Sequence, residues 1–241
     1  MGRVFAKKEL HTMKIIFVRH GHPDYKTDAL TALGRLHAKA AAERLAPDGI
    51  EKIYSSPLTR AIETAQFTAS RLGREIEILD CMREISWGSV DGTAIMEKGH
   101  PWNTADRFSE AGQSLTDYTW QAKEPWCHNN ILEHINRVTD GFDAFMETQG
   151  YRREGEFYRV IGENTDKTIA IFGHGGAFTA TLAHLMNIPF PLACRAFDLN
   201  FTCITVAKFD DLQGVYCTPR FDVIGDARHI MGISVKNTFM A

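Results

Sequence analysis

Nowhere in the 241 residues do five or six like charges run together, and 27 Lys and Arg stand against 30 Asp and Glu for a formal charge of −3. The chain therefore lacks the basic stripe that nucleic acid or an anionic membrane surface requires, and neither is an expected partner. Cysteine is scarce. Cys81, Cys127, Cys194, Cys203 and Cys217 make an odd set without a C-x-x-C pair, so neither a disulfide framework nor a zinc knuckle is indicated, and a reducing, cytoplasmic setting fits. Long hydrophobic runs are also missing, all of them falling well short of the ~20 residues that span a bilayer. The polar start MGRVFAKKELHT lacks a signal peptide's apolar core, so a soluble protein is expected. Internal repeats and low-complexity segments are absent too, which removes solenoids and linker arrays from consideration.

What is present is a chain with 44% hydrophobic residues, enough for a sizeable core. One domain over residues 13–235 is expected, with 1–12 as an extension outside it. Ile15–Val18 is a short β-branched run of the kind buried on both faces of a sheet. Thr31 caps a helix striped by Leu33, Leu36, Ala40, Ala41 and Leu45 and stopped by Pro47. A strand at Lys52–Tyr54 leads into SSPLTRAIETAQFTASRLG, where Ser56 is the expected N-cap, Pro57 the first helical residue and Gly73 the terminator. A strand near Glu75–Leu79 follows. Helices are then expected at Ser114–Glu124 and Asn130–Thr148, and a hairpin turning at Glu154-Gly155. After these come a buried strand KTIAIF, a turn GHGG, a helix over Ala177–Met186, and strands at Thr202–Phe209 and Val215–Val223 that form an antiparallel edge. The alternation predicts an α/β fold: a mixed, mostly parallel central sheet with helices on both faces, plus a helical and hairpin insertion or lid at about 94–165.

Two of these strands end in histidine. IIFV runs into Arg19-His20-Gly21, and IAIF into Gly173-His174-Gly175-Gly176. Ligand crevices of open α/β sheets lie at the carboxyl ends of strands, so both imidazoles can face one pocket although they are far apart in sequence. The flanking glycines let backbone approach a ligand. Arg60 lies in the first turn of a helix, where the dipole disfavours a cation unless an anion is near; Glu63 is the local candidate partner and a bound phosphate the functional one. Together with Arg19 it makes a clamp whose forked donors match phosphate oxygens.

RHG after an early strand, SSPLTRAIETA on the next helix, Glu84 in MREISWGSVDG and GHGG after a late strand resemble, in that order, the histidine phosphatase superfamily of phosphoglycerate-mutase-like proteins. The resemblance extends from about Met13 to Ile230. It implies that His20 is the nucleophile that becomes phosphorylated, that Arg19, Arg60 and His174 hold the phosphoryl oxygens, and that Glu84 is the proton donor. It further implies a phosphatase acting on a small phosphorylated substrate with no cofactor and no metal. The physics agrees: a neutral imidazole attacks without first losing a proton, and a cationic cradle stabilises charge on the equatorial oxygens. For Glu84 the alternative role is a carboxylate paired with Arg83. His22 stands where family members often carry an acid or amide, and PDY replaces the mutase-type serine and asparagine. Ile85-Ser86-Trp87-Gly88 replaces the mutases' arginine and tyrosine. These departures favour hydrolysis over a phosphoglycerate-type mutase.

Three other readings compete with it. His20, His22, Asp24 and His174 form a possible metal-ligand set. Gly173-x-Gly175 lacks the third glycine of a dinucleotide site. A catalytically silent member would bind a phosphorylated ligand or a protein without turnover. His22, Trp102 and Arg152 are further candidates for substrate contact, with Arg153 and Arg159 beside Arg152 on the hairpin. Trp87, Trp102, Trp120 and Trp126 cluster after Glu84, either as a satellite aromatic core or as a lid gripping the substrate's organic part.

Overall fold

A computed structural model describes residues 12–93, 95, 100–163 and 166–234. Its elements are β1 (Thr12–Arg19), β2 (Pro23–Asp24), β3 (Ala29–Leu30), α1 (Ala32–Leu45), β4 (Lys52–Ser55), α2 (Thr59–Leu72) and β5 (Ile76–Ile78). There follow α3 (Pro101–Glu110), α4 (Ile131–Thr148), β6 (Tyr151–Glu154), β7 (Phe157–Val160), β8 (Thr168–Gly173), α5 (Gly175–Met186), α6 (Phe190–Ala196), β9 (Ile204–Asp210), β10 (Tyr216–Cys217) and β11 (Arg220–Asp226). The central sheet has six strands in the order β11-β9-β1-β8-β4-β5. β1, β8, β4 and β5 are parallel, and β9 is antiparallel to both β1 and β11.

Strand alternation divides the core into two layers. Met13, Ile15 and Phe17 of β1 point to one face with Ile169 and Ile171 of β8, where α4 and α5 cover them. Ile16 and Val18 point to the other face with Ala170 and Phe172, packed beside Ala65 and Ala69 of α2. A strand buried on both faces in this way reads as a continuous apolar run, which is why Ile15–Val18 was legible. α4 belongs to this core: Phe142 meets Phe17 at 5.9 Å between ring centroids, and Phe145 meets Tyr54 at 4.9 Å. The expected insertion at 94–165 therefore contains a core helix, and its two ends, 94 and 164–165, lie outside the described residues, as does residue 235. Of the expected 1–12 extension, Thr12 pairs with Asp210 in the central sheet and residues 1–11 lie outside the described residues.

Several expectations about elements need correction. Ser114–Glu124 forms turns and one 3-10 turn at Trp120–Ala122 rather than a helix. Asp117 there accepts from the Thr119 backbone N–H at 2.8 Å and its hydroxyl at 2.7 Å, offering the backbone an alternative to helical bonds. Val215–Val223 is not one strand. Pro219 cannot donate to a ladder, and the chain splits there into β10, which joins β7 and β6 in a separate three-stranded sheet, and β11 on the central sheet's edge. The hairpin turns at Gly155-Glu156, with Gly155 at φ 62°. α2 begins at Thr59 with Leu58 at the N-cap, so neither Ser56 nor Pro57 holds its expected place. α3 and α6 were not foreseen.

Candidate active site

β1 and β8 are adjacent and parallel with Arg19 opposite Gly173, so the residues that follow emerge side by side. His20 and His174 stand 5.1 Å apart between ring centroids, both buried. The His20 backbone N–H bonds to the Gly173 carbonyl at 2.9 Å, which ties the two strand ends together.

The surroundings of His20 determine its chemistry. Its Nδ1 lies 2.7 Å from the Gly21 carbonyl. A carbonyl can only accept, so Nδ1 carries the proton and the lone pair resides on Nε2. Burial, with help from the nearby Arg19 and Arg60 charges against the opposing Gly21 bond, lowers the pKa to about 3. The ring is therefore neutral at ordinary pH. His174 is likewise held neutral by burial and by Arg60, His20 and Arg19, and its Nε2 bonds to the Ser56 hydroxyl at 2.7 Å. Ser56, expected as a helix cap, instead positions a histidine.

Both guanidiniums are held by protein groups. Arg19 donates to the Leu199 carbonyl at 2.5 Å and lies over Phe201 at 4.5 Å. Arg60 is buried and paired with Asp28, not with Glu63, which instead bonds Arg35 and the Leu30 amide. Asp28 also accepts from the Thr59 N–H at 2.8 Å, capping α2 from a distant segment. Thr64 accepts from the Gly21 N–H at 3.0 Å and fixes the loop that carries His20. Asp28, Thr64 and Leu199 were not singled out from sequence, and Ser56 was singled out only as a helix cap. A polar residue in DAL or ETA carries no signal until the fold brings it to the site.

Glu84 faces the N-terminus of α5. Its carboxylate accepts from the Ala177 N–H at 2.9 Å, Gly176 N–H at 3.3 Å and Ile85 N–H at 2.9 Å. Burial still raises its pKa above the usual carboxylate range, against the pull of those amides and Arg19. Arg83 is paired with Asp80 at 2.6 Å, so the alternative partner is engaged elsewhere. Arg137 of α4 clamps the loop under Glu84 through the carbonyls of Cys81, Arg83 and Glu84 at 2.9, 3.0 and 3.2 Å. Close approach explains the last glycine of GHGG: a Cβ on Gly176 would come within 2.7 Å of Glu84 Oε1 and 2.4 Å of Ile85 Cγ1.

A cavity of about 650 Å³ is lined among others by Arg19, Arg60, Glu84 and Gly175, while the buried His20 and His174 are not on its wall. Trp102 and Trp87 are on its wall, as is Ser86. The remaining substrate candidates are not. His22 bonds the Thr31 hydroxyl at 2.9 Å and packs on Phe201. Arg152 pairs with Glu147 on the three-stranded sheet, Arg153 bonds Asn187 at 2.5 Å, and Arg159 faces Glu154. Trp120 and Trp126 are core, stacked edge to face at 5.3 Å. Of the four tryptophans, Trp120 and Trp126 thus belong to the main core rather than a satellite, and Trp87 and Trp102 line the cavity. His20, His22, Asp24 and His174 do not converge as a metal site. Among the described residues, Glu124, Cys127 and His128 bring three donors together, and none of them lines the cavity.

Comparison with known proteins agrees with this geometry. A glucosyl-3-phosphoglycerate phosphatase of Mycolicibacterium vanbaalenii is 25% identical over 189 residues, covering 75% of this chain and 77% of the relative. The structure of a mycobacterial glucosyl-3-phosphoglycerate phosphatase with inorganic phosphate superposes with a TM-score of 0.62 at 23% identity, covering 92% of this chain and 99% of that one. The phosphoserine phosphatase of Entamoeba histolytica in complex with 3-phosphoglyceric acid gives 0.58 at 22% identity, covering 90% and 99%. The family model of the histidine phosphatase superfamily, branch 1, matches residues 15–216. With that match over most of its length, and with this sheet, the chain belongs to the histidine phosphatase superfamily.

Proposed function

We propose that the protein hydrolyses a small phosphomonoester through a phosphohistidine on His20. The observation that carries this is the His20 tautomer: Nδ1–H is spent on the Gly21 carbonyl, which leaves a neutral Nε2 beside two guanidiniums. In the first step Nε2 attacks phosphorus and the bond from phosphorus to the alcohol oxygen breaks. Arg19, Arg60 and His174 hold the equatorial oxygens, and Glu84, whose pKa burial raises, delivers a proton to the departing oxygen. In the second step water attacks the phosphoramidate, Glu84 accepts water's proton, and phosphate leaves His20 free.

The relatives' names, glucosyl-3-phosphoglycerate phosphatase and phosphoserine phosphatase, support a hydrolase. So does the wall residue Trp87, with Ser86, in the stretch where a mutase carries arginine and tyrosine. The five cysteines are unpaired, which supports a reducing compartment. Among the described residues no single helix is long and apolar enough to cross a membrane.

Purified protein incubated with a panel of phosphorylated metabolites in EDTA is expected to release phosphate at its full rate and to be inhibited competitively by vanadate, a mimic of the five-coordinate transition state. Complete loss of activity in EDTA, restored by a divalent cation, would overturn the reading in favour of metal-assisted hydrolysis.

A further inference from the structure

The cavity has a second region that phosphoryl transfer does not use. Trp87, Trp102 and Phe197 line it, while Tyr25 lies against Arg60 at 5.5 Å and the Leu199 carbonyl holds Arg19 at the phosphate end. These walls are anchored. Trp87 packs edge to face on the buried Trp126 at 5.4 Å, and Trp102 is the second residue of α3, whose Asp106 pairs with Arg195 of α6 at 3.4 Å. A rigid apolar wall binds a ring without first paying for its own ordering.

The charges in the same cavity are arranged against a second anion. Among the described lining residues the permanent cations are Arg19 and Arg60. Both serve the histidine end, and Arg60 is already paired with Asp28. Asp198 adds a carboxylate to the wall. A substrate carboxylate placed there would be desolvated against aromatic faces and near a like charge, with no described arginine or lysine beyond that pair, and only the polar side chains of Ser86, His100 and Asn103, to compensate it.

Building on the phosphomonoesterase reading above, we infer that this site selects phosphate esters of apolar, ring-bearing alcohols that carry no carboxylate. In this the protein differs from what its relatives' names describe.

The test compares 2-phenylethyl phosphate with phosphoserine and 3-phosphoglycerate. The first and second both release a primary alkoxide, and the electron-withdrawing groups of phosphoserine make its alkoxide the better leaving group, so intrinsic reactivity works against the expected result. A kcat/KM for 2-phenylethyl phosphate at least ~10-fold above both carboxylates is expected, the discrimination that a hydrophobic pocket typically achieves. Trp102→Ala should raise KM for 2-phenylethyl phosphate several-fold and leave that for glycerol 3-phosphate unchanged. Asp198→Asn should improve 3-phosphoglycerate, whose carboxylate has no ammonium beside it, and leave 2-phenylethyl phosphate unchanged. Preference for either carboxylate substrate, or a Trp102→Ala variant that loses all three substrates equally, would overturn the inference while leaving the hydrolase reading intact.

Calorimetric binding of 3-phenylpropylphosphonate, which cannot be hydrolysed, separates the two ideas. Binding tighter than that of a carboxylate-bearing phosphonate, with no turnover of any ester, would keep the ligand class and remove the hydrolase. Equal or weaker binding would overturn the ligand class whether or not esters turn over.

Discussion

The floor and the wall of the cavity are built by opposite means. The floor comes from two adjacent parallel strands that end in register, so each histidine is placed by the six-stranded ladder and each neighbouring glycine by a close approach. Few residues contribute, and the backbone around them is tied by named hydrogen bonds, the His20 N–H to the Gly173 carbonyl and the Gly21 N–H to Thr64. The wall comes from segments around Trp87, Trp102 and Phe197, whose mutual placement depends on α3, α6 and the buried Trp126. Chemistry thus rests on backbone geometry, and choice of substrate rests on side-chain packing. A fold built this way keeps its reaction while its specificity changes.

Substitutions on the floor should break the chemistry at little expense to stability, and the largest effect is expected for His20→Ala. Its kcat/KM should fall by roughly 10⁴-fold or more, the scale seen when a nucleophile is lost, with no phosphoenzyme in rapid-quench experiments. Glu84→Gln sharpens the floor further. It should cost ~10²–10⁴-fold for an alkyl phosphate and far less for p-nitrophenyl phosphate, whose leaving group needs no proton. Equal losses with both substrates would make Glu84 structural. The wild-type rate with the alkyl ester should also fall as pH rises through the raised Glu84 pKa, and the Gln variant should lack that limb. Gly176→Ala should act as a weaker copy of Glu84→Gln, because the added Cβ would displace the carboxyl it meets at 2.7 Å.

On the wall the pattern reverses. Trp126→Ala should cost ~3–5 kcal/mol of stability, as for other buried aromatics, measured by denaturant unfolding, and should change the order of substrates, because Trp87 loses the ring it packs on. A further effect is that of pH on folding. His20 has a pKa of about 3 in the native protein and near 6.5 when unfolded, so the unfolded chain binds the extra proton. Stability should be unaffected by this group above pH 6.5 and should decline as pH falls from there towards 3. His20→Asn should flatten part of that decline in urea midpoints measured across the range.

Legibility followed the same division. Arg19-His20-Gly21 and Gly173-His174-Gly175-Gly176 were readable because an apolar run, a histidine and glycines lie together in sequence. The strand-end rule then put them in one crevice. Asp28 was hidden because its role, capping α2 and pairing Arg60, needs residues 31 and 32 positions away. Arg137 was hidden for the same reason, since it reaches carbonyls more than 50 positions upstream. Ser56 misled because Ser before Pro mimics a cap, and the side chain instead turns to His174. The tryptophans showed that an aromatic cluster existed. Which of them face solvent and which face the core is decided by α3 and α6, helices too short and too dependent on packing to have a clear period of their own.

The most direct test is the position of the phosphoryl group on the trapped enzyme. Rapid mixing with substrate, an alkaline quench in which phosphohistidine survives, and digestion should yield one phosphorylated peptide containing His20. Phosphorus NMR of that peptide should report the Nε2 isomer, because Nδ1 is committed to the Gly21 carbonyl. Phosphate on Nδ1, on His174 or on no histidine at all during turnover would contradict the account.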